Sequence, residues 1–213
     1  MLWNKIIANI GHVFLLINII LFFKYRTKTA ALSWFWFYLL VCLVIQVVSK
    51  VMNYNSIPNL HLSHFYFISQ LVLLGLFYRN MWGKKVQKRA IIMSILIVLV
   101  VLGVQYYMKP ELYHQFNLLE VVITSLPIVA FSIVHFYKAL ENEVPYLYIN
   151  SGVCLYLLSS TLIFSAGNFV NASDATLNIL LWLINSILYI VFQGLIFMEW
   201  YKNLRHLPKK NVT

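Results

Sequence analysis

The sequence predicts an all-α integral membrane protein: one bundle of seven transmembrane helices that takes up the whole chain, residues 1–213. Two observations predict this class. Hydrophobic residues make up 62% of the chain and charged residues 10%, whereas soluble domains have about 45–50% and about 25%. The apolar residues also fall into runs of about 17–25 residues, the length that a helix needs to cross a bilayer.

Each predicted span ends at a short segment rich in turn-forming or charged residues. Cations follow the first span directly, without a small-x-small cleavage site, so we expect a retained helix rather than a secretory signal. In chain order, the predicted spans and the segments between them are 6–23, KYRTKT, 31–51, NYNSIPN, 61–78, RNMWGKKVQKR, 90–108, KPE, 114–137, ENEVP, 146–169, VNASDAT and 177–201.

The distribution of cations predicts that the N-terminus lies outside the cell and the C-terminus inside (N-out/C-in). In this orientation only Lys5, Lys50 and Lys109 lie outside, and the other thirteen of the sixteen Lys and Arg residues lie inside. Short loops with this asymmetry obey the positive-inside rule, and an odd number of spans agrees with it. Cations placed in this way contact the lipid bilayer, so the net charge of +10 does not indicate nucleic acid as a partner.

Polar residues in the predicted spans converge on the outer half of the membrane. Glu120 is the main one, because a carboxylate in a span costs about 2–3 kcal/mol on insertion scales and so has a partner or faces water. We expect an outward-facing pocket around it, with His12, His61 or His64 as its nearest ionisable neighbour. The predicted ligand-binding residues are Glu120, Asn117, Thr124, His12, His61, His64, Asn168, Asn178, Trp182, Asn185 and Tyr189.

Each of these residues also has a plainer interpretation. Amides, hydroxyls and histidines in spans often only bond one helix to another, at about 0.6 kcal/mol each, and Glu120 fits a purely structural pair as well. The fourth span has no polar stripe, and we expect it to be a lipid-facing packing helix or a linker.

The candidate chemistry is sparse. His61 and His64 are three residues apart, and Glu120 is able to add an oxygen ligand, so a metal site stays open; the strong motif HExxH is absent. No GxSxG motif or phosphate-binding glycine loop occurs, and Lys202 lies past the seventh span, which excludes a retinal protein. We therefore expect no cofactor, and we favour a non-enzymatic protein over an intramembrane metal-dependent hydrolase.

Two functions fit this pattern. The first is a small-ligand or pH sensor, or an accessory subunit, with an outward-facing pocket. The second is a small-solute transporter in which three helices, a linker helix and three helices form parallel repeats. The basic segment from Arg79 to Arg89 is predicted to meet anionic lipid or a cytoplasmic or membrane protein partner.

Three segments resemble a family of small seven-helix membrane proteins of Bacteroidota-type bacteria: IPNLHLSHFYFISQLVLLGLFYRNMW, PYLYINSGVCLYLLSS and LWLINSILYIVFQGLIFMEWYKNL. The third helix of that family carries a His-x-Tyr pair followed by an acid. His64 and Tyr66 match the pair, and Gln70 stands where the acid would be. The resemblance implies a bacterial inner membrane and no particular activity.

Overall fold

The computed structural model describes residues 2–169 and 175–206, and within them the side chains of residues 7–166, 177 and 179–206. This part of the chain is all-helical and contains no strand, which confirms the all-α prediction. A 3-10 turn over Pro110–His114 precedes the fifth helix, and a π-helical turn over Trp200–Leu204 follows the last one. The seven α-helices are α1 (Leu2–Phe23), α2 (Ala30–Tyr54), α3 (Leu62–Met81), α4 (Lys85–Met108), α5 (Leu118–Glu141), α6 (Leu147–Phe169) and α7 (Ala175–Glu199).

Five of these helices are long and apolar enough to cross a membrane: α2, α4, α5, α6 and α7. In the described part of α1, the apolar helix Ile7–Phe23 is shorter. Helix α3 has 20 residues, but its run is interrupted by Ser63, His64, Ser69, Gln70, Arg79 and Asn80. The structure therefore supports a membrane protein with several spanning helices.

Six of the helices form a closed ring. Around the ring each helix packs against the next in the order α1, α2, α3, α5, α6 and α7, and α7 packs back against α1. Helix α4 stands outside and packs against α3 and α5. Successive helices alternate in direction. The end at which α1, α3, α5 and α7 begin is called the N-terminal end here, and the opposite end is the C-terminal end.

The hydrophobic core lies towards the C-terminal end of the ring. Close packing of aromatic and branched side chains fills this half, because the inward positions of α1 beyond Asn18, of α2 up to Cys42 and of α3 beyond Gln70 are apolar. The largest fully buried side chains are Tyr38, Tyr78, Phe22, Phe35, Phe77, Phe192, Leu15, Leu32, Leu39, Leu71, Leu74 and Ile91.

Two differences between the predicted spans and the observed helices have a clear physical cause. The fifth helix begins at Leu118 rather than at residue 114, because the Asn117 side chain caps it by accepting a hydrogen bond from the Glu120 backbone N–H at 3.3 Å. Asn117 is thus a cap, and Glu120 lies in the first turn. The fourth helix begins at Lys85 rather than at residue 90, because the polar segment KVQKR consists largely of good helix formers.

Candidate functional site

A central cavity opens at the N-terminal end of the ring. It has two adjoining chambers of about 400 and 300 Å³, which share His12, Gln46, Tyr66 and Tyr156 as lining residues. Every helix of the ring contributes side chains, whereas α4 contributes none of the described lining residues. The remaining lining residues are Ala8, Ile45, Ser49, Lys50, Asn59, Leu60, Leu62, Ser63, Phe67, Gln70, Ser125, Ser160, Phe164, Trp182, Asn185, Ser186 and Tyr189.

Several polar atoms in the cavity wall lack a partner within the protein. Gln70 is 1% exposed, and its Nε2 donates to Ser125 Oγ at 3.4 Å while its Oε1 is unpaired. Gln46 donates from Nε2 to the Tyr189 hydroxyl at 3.0 Å, and its Oε1 is also unpaired. His12 Nδ1 and Asn185 Oδ1 are buried without partners as well. Unpaired buried polar atoms cost about 1–3 kcal/mol each, so a polar ligand or water would satisfy them.

The charge of the cavity is one-sided. Lys50 is exposed at the rim, where its Nζ donates to Asn9 Oδ1 at 2.8 Å. No carboxylate occurs among the described lining residues of either chamber. Aromatic side chains form part of the walls, namely Tyr66, Phe67, Tyr156, Phe164, Trp182 and Tyr189. The Tyr156 ring stacks on Phe192 with centroids 5.2 Å apart. The cavity thus combines flat apolar walls, unpaired amide oxygens and a cation at its mouth.

The floor of the cavity is closed by hydrogen bonds and then by the apolar core. Below Gln46 and Tyr189, Asn18 is fully buried and its Nδ2 lies 2.9 Å from both the backbone and the side-chain oxygens of Gln193. The next layer contains Phe22 and Leu39, both with 0% exposure. The cavity is therefore a one-ended vestibule in this conformation.

Glu120 lies elsewhere, in a polar cluster between α3, α4 and α5 that we call the carboxylate cluster. It comprises Glu120, His64, Tyr106, Asn117 and Gln105. Glu120 Oε2 lies 2.5 Å from His64 Nδ1. Among the described residues, this is the one contact between a carboxylate and a basic side chain within ion-pair distance. The Tyr106 hydroxyl donates to the same Oε2 at 2.9 Å. Of the three histidines expected as the nearest ionisable neighbour of Glu120, the structure therefore confirms His64.

Asn117 and Gln105 complete the carboxylate cluster. Asn117 Nδ2 donates to the Gln105 Oε1 at 3.0 Å and lies 3.2 Å from the Tyr106 hydroxyl. Nearby, the Thr124 hydroxyl donates to the Glu120 backbone carbonyl at 2.7 Å. Helix α4 packs against the outside of the ring. It has no stripe of polar residues in the sequence, but Gln105 and Tyr106 near its end make polar contacts with α5.

The predicted site residues thus divide into two groups. His12, Trp182, Asn185 and Tyr189 line the cavity. Glu120, Asn117, Thr124 and His64 lie in or beside the carboxylate cluster, and none of them is among the residues that line the cavity. His61 stacks on Tyr113, with ring centroids 5.9 Å apart. The side chains of Asn168 and Asn178 lie outside the described residues.

The cavity also uses residues that the sequence analysis did not place in it. Gln46, Ser49 and Lys50 of α2 line one wall. Ser63, Tyr66, Phe67 and Gln70 of α3 line another, at spacings of three, one and three residues that put them on one helical face. These spacings are the one sequence pattern that could have predicted this wall of the cavity. Polar residues spaced in this way also occur at ordinary contacts between helices.

Among the described residues, no group of three or more His, Cys, Asp or Glu side chains is placed to hold a metal ion. Comparison with known proteins returned no match to a protein-family model, a curated protein or a solved structure.

Proposed function

We propose that all seven helices cross the bacterial inner membrane, with the N-terminal end outside. The ring supports this proposal because α1 and α3 belong to it together with four of the five strongly apolar helices. The charges support the orientation. Lys24, Arg26, Arg79, Lys88 and Lys138 are among the many cations at the C-terminal end, and the positive-inside rule favours that end in the cytoplasm. The family resemblance supports the choice of membrane.

We further propose that the cavity binds a small polar ligand from outside and that the protein is a ligand sensor or an accessory subunit. The observation that carries this proposal is the one-ended vestibule, in which partnerless polar atoms stand above a floor that the Asn18–Gln193 hydrogen bonds and the apolar core close. Such a site admits a ligand from one side and holds it against side chains of six helices. Occupancy is then able to change how these helices pack.

The chemistry of the wall suggests the class of ligand. Gln46 Oε1, Gln70 Oε1 and Asn185 Oδ1 accept hydrogen bonds, so the ligand would supply N–H or O–H donors. Lys50 at the rim favours an acidic group, and the aromatic walls favour a flat or apolar body. A small amino acid-like or nucleobase-like molecule has these features.

The test is the thermal midpoint of the purified protein, measured across pH with amino acids, nucleobases, small carboxylic acids and divalent metals. A compound that binds the native state raises the midpoint by mass action. We expect one class of compounds to raise it, and Gln70→Leu to abolish the shift because the Leu side chain offers no amide to the cavity. Ser94→Ala on α4, outside the ring, is the matched control and should keep the shift.

Two outcomes would contradict the cavity site. In one, no compound changes the midpoint of the wild type. In the other, Gln70→Leu retains a shift that Glu120→Gln loses, which would place the binding site at the carboxylate cluster instead.

A small-solute transporter is the second candidate, favoured by the arrangement of the helices. Helices α1–α3 and α5–α7 form two consecutive halves of the ring with the same orientation, and α4 stands outside as a linker. A transporter would also need a state in which the floor opens. Uptake of a ligand by proteoliposomes, abolished by Asn18→Leu in the floor, would favour transport; binding without uptake would favour a sensor.

A further inference from the structure

A groove lies between the last turn of α3 and the first turns of α4, at the C-terminal end and away from the central cavity. Its volume is about 270 Å³, and it is lined by Arg79, Lys88, Arg89, Ile92 and Met93. Three of the five lining residues are cationic, and the other two are apolar.

The cations of this groove are not neutralised by the protein. None of the three takes part in an ion pair among the described residues. Arg79 Nε is buried and has no hydrogen-bond partner. A buried guanidinium N–H without an acceptor is unfavourable, and phosphate oxygens match the geometry of arginine well. The groove therefore offers an anion both charge and an unused hydrogen-bond donor.

The apolar part of the groove points to the kind of anion. Ile92 and Met93 lie one turn further along α4 from its first residue than Lys88 and Arg89 do, and Met93 is 56% exposed. The exposed apolar surface of α4 continues from there through Leu96, Ile97 and Val100. An amphiphile with its phosphate at the cations would lay an acyl chain along this surface.

We propose that the groove binds the head group of an anionic phospholipid, with one acyl chain along α4. A second groove at the same end, lined by Lys84, Lys138 and Glu141 among others, is less suitable. There Lys138 already donates to Gln87 at 2.8 Å and stands over the Trp82 ring at 4.0 Å. The carboxylate of Glu141 also opposes a phosphate.

The test is a titration of the full-length protein in neutral detergent, with binding read by native mass spectrometry. Three probes are compared: short-chain phosphatidylglycerol, phosphatidylcholine of the same chain length, and glycerol 3-phosphate as a soluble phosphate. We expect phosphatidylglycerol to bind most tightly. A Lys88→Gln, Arg89→Gln double variant should weaken it roughly fivefold for each cation removed, since each contributes about 1 kcal/mol near an anionic lipid.

The control is Lys24→Gln, Lys202→Gln, which removes two cations from the same end, one just after α1 and one in the turn after α7. It should retain the wild-type affinity, and the thermal midpoint of each variant verifies folding. Equal losses in both double variants would overturn the site, as would equal affinity for phosphatidylcholine. Glycerol 3-phosphate binding as tightly as phosphatidylglycerol would assign the groove to a soluble phosphate. Unchanged lipid binding in the Lys88→Gln, Arg89→Gln variant would also overturn the lipid site, and a protein partner would then be the alternative for these cations.

Discussion

Glu120 and Gln70 are both 1% exposed, but they differ in how their polar atoms are satisfied. Glu120 has a histidine and a phenol on Oε2, which offset part of its cost of burial, and its Oε1 is buried outside the cavity without a partner. Gln70 has only a long contact to Ser125, and its Oε1 lines the cavity unpaired. The residue most conspicuous in the sequence therefore supports the fold, and the less conspicuous amide faces the proposed ligand.

Replacing Glu120 with Gln should destabilise the protein by roughly 2–3 kcal/mol, because breaking a buried ion pair costs several kcal/mol and the new amide recovers part of the hydrogen bonding. The measurement is the free energy of unfolding in a detergent titration. Glu111→Gln, in the exposed 3-10 turn, removes the same charge without a buried partner and should change stability by less than about 0.5 kcal/mol. Equal effects of the two substitutions would contradict a structural role for Glu120.

Tyr106→Phe should cost about 1 kcal/mol, the net value of a typical hydrogen bond, because Glu120 and His64 lose the hydroxyl they share. The neighbouring Tyr107 is 88% exposed, so Tyr107→Phe serves as the control and should be neutral. The same unfolding titration measures both variants. A neutral Tyr106→Phe would show that α4 is not held by this contact.

At the scale of residues, the sequence predicts part of the contact between Glu120, His64 and Tyr106. The rarity of a carboxylate in an apolar run marks Glu120, and the need for a partner marks His64 among few candidates. Tyr106 escapes notice, because tyrosine is common near membrane surfaces and periodicity along one helix does not reveal which residue of another helix it meets.

At the scale of helices, close packing depends on small residues. A Cβ atom at Gly152 of α6 would lie 2.8 Å from the Phe192 ring of α7 and 3.3 Å from Leu195 Cβ. Phe192 is itself wedged against Tyr156, a wall residue of the cavity. The α6–α7 contact thus supports the cavity wall from behind.

Gly152→Ala should therefore destabilise the protein by about 1–3 kcal/mol, the usual cost of overpacking, and should weaken binding of any cavity ligand. Gly103→Ala on α4 is the control, since a Cβ atom there meets nothing within 4 Å. The same substitution should then be neutral or slightly stabilising, because Ala has the higher helix propensity. A stable Gly152→Ala protein with unchanged ligand binding would contradict this packing.

The helices themselves could be predicted from apolar runs, and most of their ends from turn residues. The start of α5 could not, because His114 to Phe116 read as a continuation of an amphipathic run while Asn117 fixes the true start by capping. The sequence also could not predict which helices contact one another, since a run of apolar residues does not specify its neighbours.

At the scale of the whole molecule, the ring and its one-sided charges predict the orientation in the membrane. In a Cys42→Ala, Cys154→Ala background, Tyr54→Cys at the N-terminal end and Glu143→Cys at the C-terminal end provide two exposed reporters. We expect a membrane-impermeant maleimide to label Tyr54→Cys on intact cells, and to label Glu143→Cys only after permeabilisation. The reverse pattern would overturn the proposed orientation, and labelling of both on intact cells would rule out an odd number of spans between them.

The packed floor has a consequence for the cell. Between Gln193 and the C-terminal end, the α1–α3 side of the ring is filled by Phe22, Phe35, Leu39 and Phe77, all with 0% exposure. A file of water or ions has no path through side chains packed in this way. In the proposed orientation, the protein would therefore face the outside without dissipating the electrochemical gradient that drives the cell's energy metabolism.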